Sequence, residues 1–235
     1  MLNGLTVVDI VIWFAVFLFS ISFHESAHAW TSDRFGDPTA RHLGRITLNP
    51  IPHIEIFGTV IFPLAGLITG GIMLGWAKPT PVNPNLWSDK KKANILVSAA
   101  GPISNAILAI IAFAIVKLLL VSGILGFPVN GGPFDIVGAP GGQASLLVPI
   151  SKLLSIMLTL NIALGIFNLF PVPPLDGSHV LESLLPPAIE EAYAQIRPFG
   201  FILLIALIYL GVFTFIFRPV MNGVVYLLFG PGYSY

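Results

Sequence analysis

Phe23-His24-Glu25-Ser26-Ala27-His28-Ala29-Trp30 sets two imidazoles and a carboxylate inside an otherwise apolar run that reads as a membrane-crossing helix. On a helix His24 and His28 are four residues apart, so both rings project from one face and can grip a single metal ion. Glu25 lies about 100° round the axis from His24, beside the ion without being a ligand. Two neutral imidazoles on Zn²⁺ with a glutamate to take the proton of a bound water is the chemistry this spacing serves. A chance H-E-x-x-H on a helix is the bland alternative. Location decides against it, because ionisable groups within a lipid-embedded helix are costly and mark functional sites.

The rest of the chain makes lipid the right setting. Of 235 residues, 55% are hydrophobic and 9% are charged. Soluble domains carry about a quarter charged residues, so this composition implies a polytopic membrane protein, with residues 1–235 as one membrane-embedded domain. A net charge of zero gives no support for nucleic-acid binding, and the lack of cysteine excludes disulfides, thiolate zinc sites and thiol catalysis. Residues 1–8 lack the basic start of a secretory signal, so the first apolar run reads as a retained helix.

The first span is expected from Val7 to about Thr31. A polar stretch, 33–55, follows with Arg34, Arg41, Arg45 and several turn formers; its His42 and His53 read as ordinary loop histidines. Residues 56–77 carry no charge and are long enough to cross, yet Gly58, Pro63, Gly66, Gly70, Gly71 and Gly75 interrupt them. A loop with Pro79, Pro81, Pro84 and Lys90-Lys91-Lys92 leads to a second span, 93–116, opened by Gly101-Pro102-Ile103-Ser104-Asn105. After the Gly/Pro-rich connection 122–149, a third span, 153–169, runs into Asn168-Leu169-Phe170-Pro171-Val172-Pro173-Pro174-Leu175-Asp176-Gly177. Residues 199–217 are the expected fourth span. The last apolar piece, 220–229, is too short for ~30 Å of hydrocarbon and is expected to lie at the interface or fold back.

Two histidines leave a catalytic zinc one protein ligand short. Asp176 is the leading candidate, ending a span on backbone that Gly177 and the prolines keep irregular, which is tolerated at membrane depth only beside a cavity. Its competitors are an N-cap role for Asp176 itself at the following helix and His179 as the ligand instead. If Asp176 joins His24 and His28, the C-terminal ends of the first and third spans share one side, so an even number of crossings separates them. Spans 93–116 and 153–169 supply two, and 56–77 must then enter and return on the same side. Basic residues check this independently. With 56–77 re-entrant, one side collects eight (Arg34, Arg41, Arg45, Lys78, Lys90, Lys91, Lys92, Arg197) and the other three (Lys117, Lys152, Arg218). A spanning segment would split them six against five. The re-entrant arrangement puts the site toward the cytoplasm and the N-terminus outside.

These motifs, in this order, resemble the site-2 protease family of intramembrane zinc metalloproteases over roughly residues 7–197. Gly44-Arg45-Ile46-Thr47-Leu48-Asn49-Pro50 and Gly75-Trp76-Ala77-Lys78-Pro79 resemble its compact branch, which lacks a PDZ domain. That branch would put an aspartate after His53-Ile54, where Glu55 stands. The resemblance implies His24, His28 and Asp176 as zinc ligands, Glu25 as general base, and Asn105 and Asn168 assisting by hydrogen bonds. It implies an all-α polytopic fold with a three-helix catalytic core, at least one further transmembrane helix and a re-entrant segment at 56–77, the candidate for a strand or β-hairpin that holds unwound substrate. It further implies a membrane-anchored protein as substrate, cleaved by zinc-activated water, in a plasma or inner membrane. A transporter or an inactive scaffold is the rival class; transport predicts two related halves, no internal repeat is present, and no motif member is missing. A zincin with a soluble domain and a third ligand among Glu182, Glu190 and Glu191 has no room in this chain.

Overall fold

The computed structural model describes residues 6–69, 75–128, 134–140, 146–233 and 235. The described residues form α1 (Val7–Arg34), α2 (Thr39–His42), α3 (Phe62–Thr69), α4 (Lys90–Val121), α5 (Leu147–Asn168), α6 (Asp176–Leu184), α7 (Pro187–Ala194), α8 (Gly200–Tyr209) and α9 (Val212–Phe229). No strand occurs among them. Five stretches are long and apolar enough to cross a membrane: Val7–Arg34, Lys90–Val121, Leu147–Asn168, Pro187–Tyr209 and Val212–Phe229. The protein is an all-α, multi-pass membrane protein.

Helices α1, α4 and α5 pack together as the core. A capping box starts α1, Thr6 Oγ1 accepting from Asp9 N at 3.2 Å and Asp9 Oδ2 from Thr6 N at 2.7 Å. Asp9 also pairs with Lys152, which ties the start of α1 to α5. Trp13, Val16, Phe17 and Ile21 of α1 bury against Ile156 of α5. Small residues Ala109 and Ala112 of α4 let that helix approach Leu154 and Leu158 of α5 closely, as lipid-embedded helices require. Outward-facing Ile103, Ile107, Ile110 and Ile111 stay exposed, the surface that hydrocarbon tails would cover. At ~1.5 Å per residue the 32 residues of α4 span ~48 Å. That exceeds ~30 Å of hydrocarbon, so α4 projects beyond it, and Lys90-Lys91-Lys92 form its first turn.

The C-terminal region differs from the sequence-based expectation. The expected span 199–217 is broken at Gly211, which adopts φ +75° with open space around it. A glycine takes that left-handed conformation without Cβ strain, so the chain turns there and one helix runs unbroken from Val212 to Phe229 through Pro219. Residues 220–229 are therefore the second half of α9, not a separate interfacial piece. Helix α9 begins with Phe213 against Phe167 and Phe170, and near its end the Leu227 and Leu228 carbonyls accept from Lys117 Nζ at the far end of α4. Helix α8, by contrast, stays close to the turn 170–175: Gly200 abuts Pro173, and Leu204, Leu207 and Ile208 pack with Phe170, Val172 and Leu175.

The segment 56–77 is helical over residues 56–69, a π-helical Ile56–Ile61 running into α3, and irregular at 75–77, with no strand among its described residues. Its Gly70 and Gly71 lie at 70–74, outside the described residues, as do 129–133 and 141–145 of the long connection. Both ends of the segment meet. Lys78 N donates to His53 O at 2.8 Å, Trp76 N to Gly58 O at 3.1 Å, and Thr59 Oγ1 to Trp76 O at 2.9 Å. Glu55 caps the π-helix, its carboxylate accepting from Phe57 N and Gly58 N. That gives the glutamate found in place of an aspartate a local structural role.

Candidate metal centre

His24 and His28 face α4 and α6 from the C-terminal half of α1, and both are buried. Asp176, the first residue of α6, brings its carboxylate to the same point: Oδ2 lies 3.1 Å from His24 Nε2 and Oδ1 3.4 Å from His28 Nε2. The α6 N-cap position belongs to Leu175, with no side-chain cap, so Asp176 is not spent on capping. The turn that delivers it is tight. A Cβ on Gly177 would lie 2.2 Å from Leu169 O, so only glycine lets α6 start this close to the end of α5.

Helix α4 closes the other side. A Cβ on Gly101 would fall 2.4 Å from both His24 Cε1 and His28 Nε2. The glycine of Gly101-Pro102 is thus the space in which the two rings sit. The outer nitrogens are fixed from α4 as well, His24 Nδ1 against Asn105 Oδ1 at 2.7 Å and His28 Nδ1 against Val97 O at 2.7 Å. Both partners are oxygen acceptors, so each Nδ1 carries its proton and each Nε2 presents a lone pair.

Those two Nε2 atoms are 3.0 Å apart, with carboxylate oxygens beside them. Neutral rings in that arrangement point lone pair at lone pair, a repulsion that a bound metal ion would relieve. Asp176 Oδ2 is buried with no hydrogen-bond donor facing it, as expected if His24 Nε2 has none to give. Two imidazole nitrogens and a carboxylate oxygen lie within 4.8 Å of one another, and this is the one such group among the described residues. It has the donor set of a three-ligand catalytic zinc site with a position left open. The residues fit a metal ion.

Glu25 is held differently. Its Oε2 accepts from Thr80 N at 2.8 Å and Thr80 Oγ1 at 2.7 Å, so a loop rather than a helix orients the carboxylate. Thr80 belongs to the irregular stretch 75–83, which Arg45 pins through the Lys78 carbonyl. A cavity of about 890 Å³ opens beside the group, lined by His24, Glu25, His28 and Asp176 with Thr80, Trp76 and Asn168.

The other candidates sort clearly. Asn105 bonds the ring of His24, one of the candidate ligands. Asn168 lines the cavity, but its amide donates to Leu164 O of its own helix at 3.0 Å. His179 is in the cavity wall, 3.9 Å from Glu182, and outside the ligand group. His42 is exposed, and His53 is buried against Thr47 O. Sequence reasoning missed Thr80 and Asn161. Nothing periodic flags a threonine between two prolines; Asn161, an amide within an apolar span, carried the same signal that singled out His24.

The profile of Peptidase family M50 matches residues 12–208. The chain is 36% identical over 203 residues, 86% of its length and 82% of the relative's, to "Putative zinc metalloprotease YwhC" of Bacillus subtilis (strain 168). It is 31% identical over 219 residues, 92% of its length and 71% of the relative's, to "Putative zinc metalloprotease Rip2" of Mycobacterium tuberculosis (strain ATCC 25618 / H37Rv). No solved structure gives a significant match.

Proposed function

This chain belongs to peptidase family M50, the site-2 protease family its motifs resemble, and from that premise we propose that it is an intramembrane zinc metalloprotease cutting membrane-anchored proteins within or next to their transmembrane segments. The observation that carries the reading is the convergence of His24 Nε2, His28 Nε2 and the Asp176 carboxylate inside the helix core, with Glu25 at the edge of the same cavity.

In this reading His24, His28 and Asp176 hold Zn²⁺. When bound, the ion supplies Lewis acidity and lowers the pKa of a water to ~7. Glu25 takes the proton of the attacking water and returns it to the leaving amine, a transfer from one carboxylate that acts as base and then acid. Thr80 holds that carboxylate in place. Asn168, facing the cavity with its amide oxygen free of the bond to Leu164, contacts substrate.

A transmembrane helix has its carbonyls engaged and must unwind to be cut. The irregular stretch 75–82, which continues from the end of the re-entrant segment, lines the cavity and lies beside Glu25, so it is the edge that receives the opened strand. Substrates with Gly, Pro or Asn near the cleavage point follow from this, because their helices open at lower cost. The positive-inside split puts the site toward the cytoplasmic face of the membrane.

The test is zinc content measured beside cleavage of a membrane peptide. Glu25→Gln is expected to keep zinc and lose cleavage, whereas His24→Ala and Asp176→Ala lose zinc. Cleavage retained by Glu25→Gln would remove the general base, and zinc retained by Asp176→Ala would remove the third ligand.

A further inference from the structure

The two imidazoles are polarised by acceptors of different kinds. Val97 O, on His28, is a backbone carbonyl and can only accept. Asn105 Oδ1, on His24, belongs to a primary amide, which can turn over and present its NH₂ instead. A turned amide would oblige His24 Nδ1 to accept and move the ring proton to Nε2, the atom that faces Asp176. One ligand is locked by backbone; the other depends on which way an amide points.

What fixes that amide lies on α5. Asn105 Nδ2 donates to Asn161 Oδ1 at 2.9 Å, and Asn161 Nδ2 donates to Met157 O at 2.8 Å and to Ser20 Oγ at 2.9 Å. Asn105, Asn161 and Ser20 are all 0% exposed, so no solvent can substitute for a lost partner. Met157 O has no second orientation. Asn161 must therefore aim its NH₂ at Met157 and its oxygen at Asn105. Asn105 must then aim its NH₂ at Asn161 and its oxygen at His24. Reversing either amide sets oxygen against oxygen in a dry interior, where an unpaired polar group costs a few kcal/mol.

We propose that Asn161 is a positioning residue of the metal centre, transmitting the fixed polarity of the Met157 carbonyl through Asn105 so that His24 is held as the Nδ1–H tautomer with Nε2 bare for the ion. The proposal rests on the zinc reading above. It adds a third helix to the control of a ligand carried on the first, and it makes His24 the conditional ligand of the pair.

Zinc affinity of the full-length protein in detergent, measured by competition with a chromophoric chelator, reads the relay without substrate. Asn161→Leu, with the same branching but neither donor nor acceptor, is expected to weaken zinc binding because Asn105 is then free to turn, by up to about 10- to 100-fold, the cost of losing the outer partner of a ligating histidine. Adding Asn105→Asp is expected to restore most of that loss, because a carboxylate accepts from His24 Nδ1 whichever way it is turned. A packing role for Asn161 would give no such rescue. Wild-type affinity in Asn161→Leu, or a double variant as weak as the single one, overturns the proposal. Should the leucine variant not fold, the unmutated protein decides: ¹⁵N-histidine spectra of the zinc-loaded form must show His24 bound through Nε2 with a proton on Nδ1, and binding through Nδ1 overturns the relay. Wild-type protein that binds no zinc overturns the underlying reading, which is distinct from a wild type and variant that bind equally.

Discussion

His24 and Glu25 are adjacent in sequence yet are held by different kinds of structure. The imidazoles sit in a slot cut by Gly101 and are bonded from helix α4 at Asn105 and Val97. The carboxylate of Glu25 is clasped by Thr80, on a loop tied at one end to residues 53–59 and at the other to Asp37. Helix-to-helix packing cannot shift one side chain without moving many, so the ligand half is preorganised and rigid. A loop held by a few hydrogen bonds can be displaced at low cost. In the proposed function, a metal held in fixed geometry would stand beside a base able to adjust as a peptide enters.

The sharpest way to break this comparison is to exchange the functions. Glu25→Gln is expected to lower turnover by about 10²–10⁴-fold while zinc stoichiometry stays at one per chain, measured by metal analysis and peptide cleavage together. Loss of zinc in that variant would join the two halves into one. Gly101→Ala attacks the rigid half. Its added methyl would stand 2.4 Å from both rings, so zinc content and activity should fall together, and equal metal content in variant and wild type would show that α4 can yield.

Thr80→Val probes the adjustable half with a smaller change. It removes the hydroxyl and leaves the backbone N–H bond to Glu25. Hydrogen bonds to charged groups contribute ~1.5–3 kcal/mol, so cleavage should drop about tenfold or more with zinc affinity unchanged, and Thr80→Ser should recover it. A parallel drop in zinc affinity would contradict the separation.

The least effect on chemistry is expected at Asp37, which anchors the same loop from the polar stretch that follows α1. Its buried carboxylate accepts from Ser32 Oγ, Asn83 N and the Thr39 backbone and hydroxyl. Burial alone would raise its pKa, but the donors at Asn83, Thr39 and Ser32 outweigh it and hold the carboxyl below its usual range. The stability it contributes is therefore present above the unfolded value of ~3.9 and is lost as pH falls through the folded value. Asp37→Ala should cost about 2–3 kcal/mol at neutral pH and flatten the acid limb of a thermal-stability profile between pH 5 and 2, relative to wild type. An unchanged acid limb would mean that the tie between Asn83 and the end of α1 is not electrostatic.

How far the sequence reached depended on the kind of signal. Ionisable side chains in an apolar run are unmistakable, which is why His24, Glu25, His28 and Asp176 could be named together. The parity of crossings followed from asking two span ends to meet. Hydropathy failed at the C-terminus because Gly211 and Pro219 look alike as helix breakers. Only the first ends a helix here, by taking a positive φ. The segment 56–77, for which the resemblance offered a strand or β-hairpin, is helical over 56–69 for a related reason. A glycine-rich apolar run has no period to separate strand from helix, and a capping Glu55 tips its described part toward helix.

By itself, then, the sequence determined the solvent this chain lives in and the candidate metal-ligating residues at the ends of the first and third core spans, because burial cost and helical spacing are properties of local composition. Tertiary structure alone decided that Thr80 reaches Glu25, that Gly101 makes room for two rings, and that Asn161 sets the direction of Asn105. Those are contacts between residues 55 to 77 positions apart. Hydrogen-bond polarity passes through space between helices, and no pattern along one helix records it.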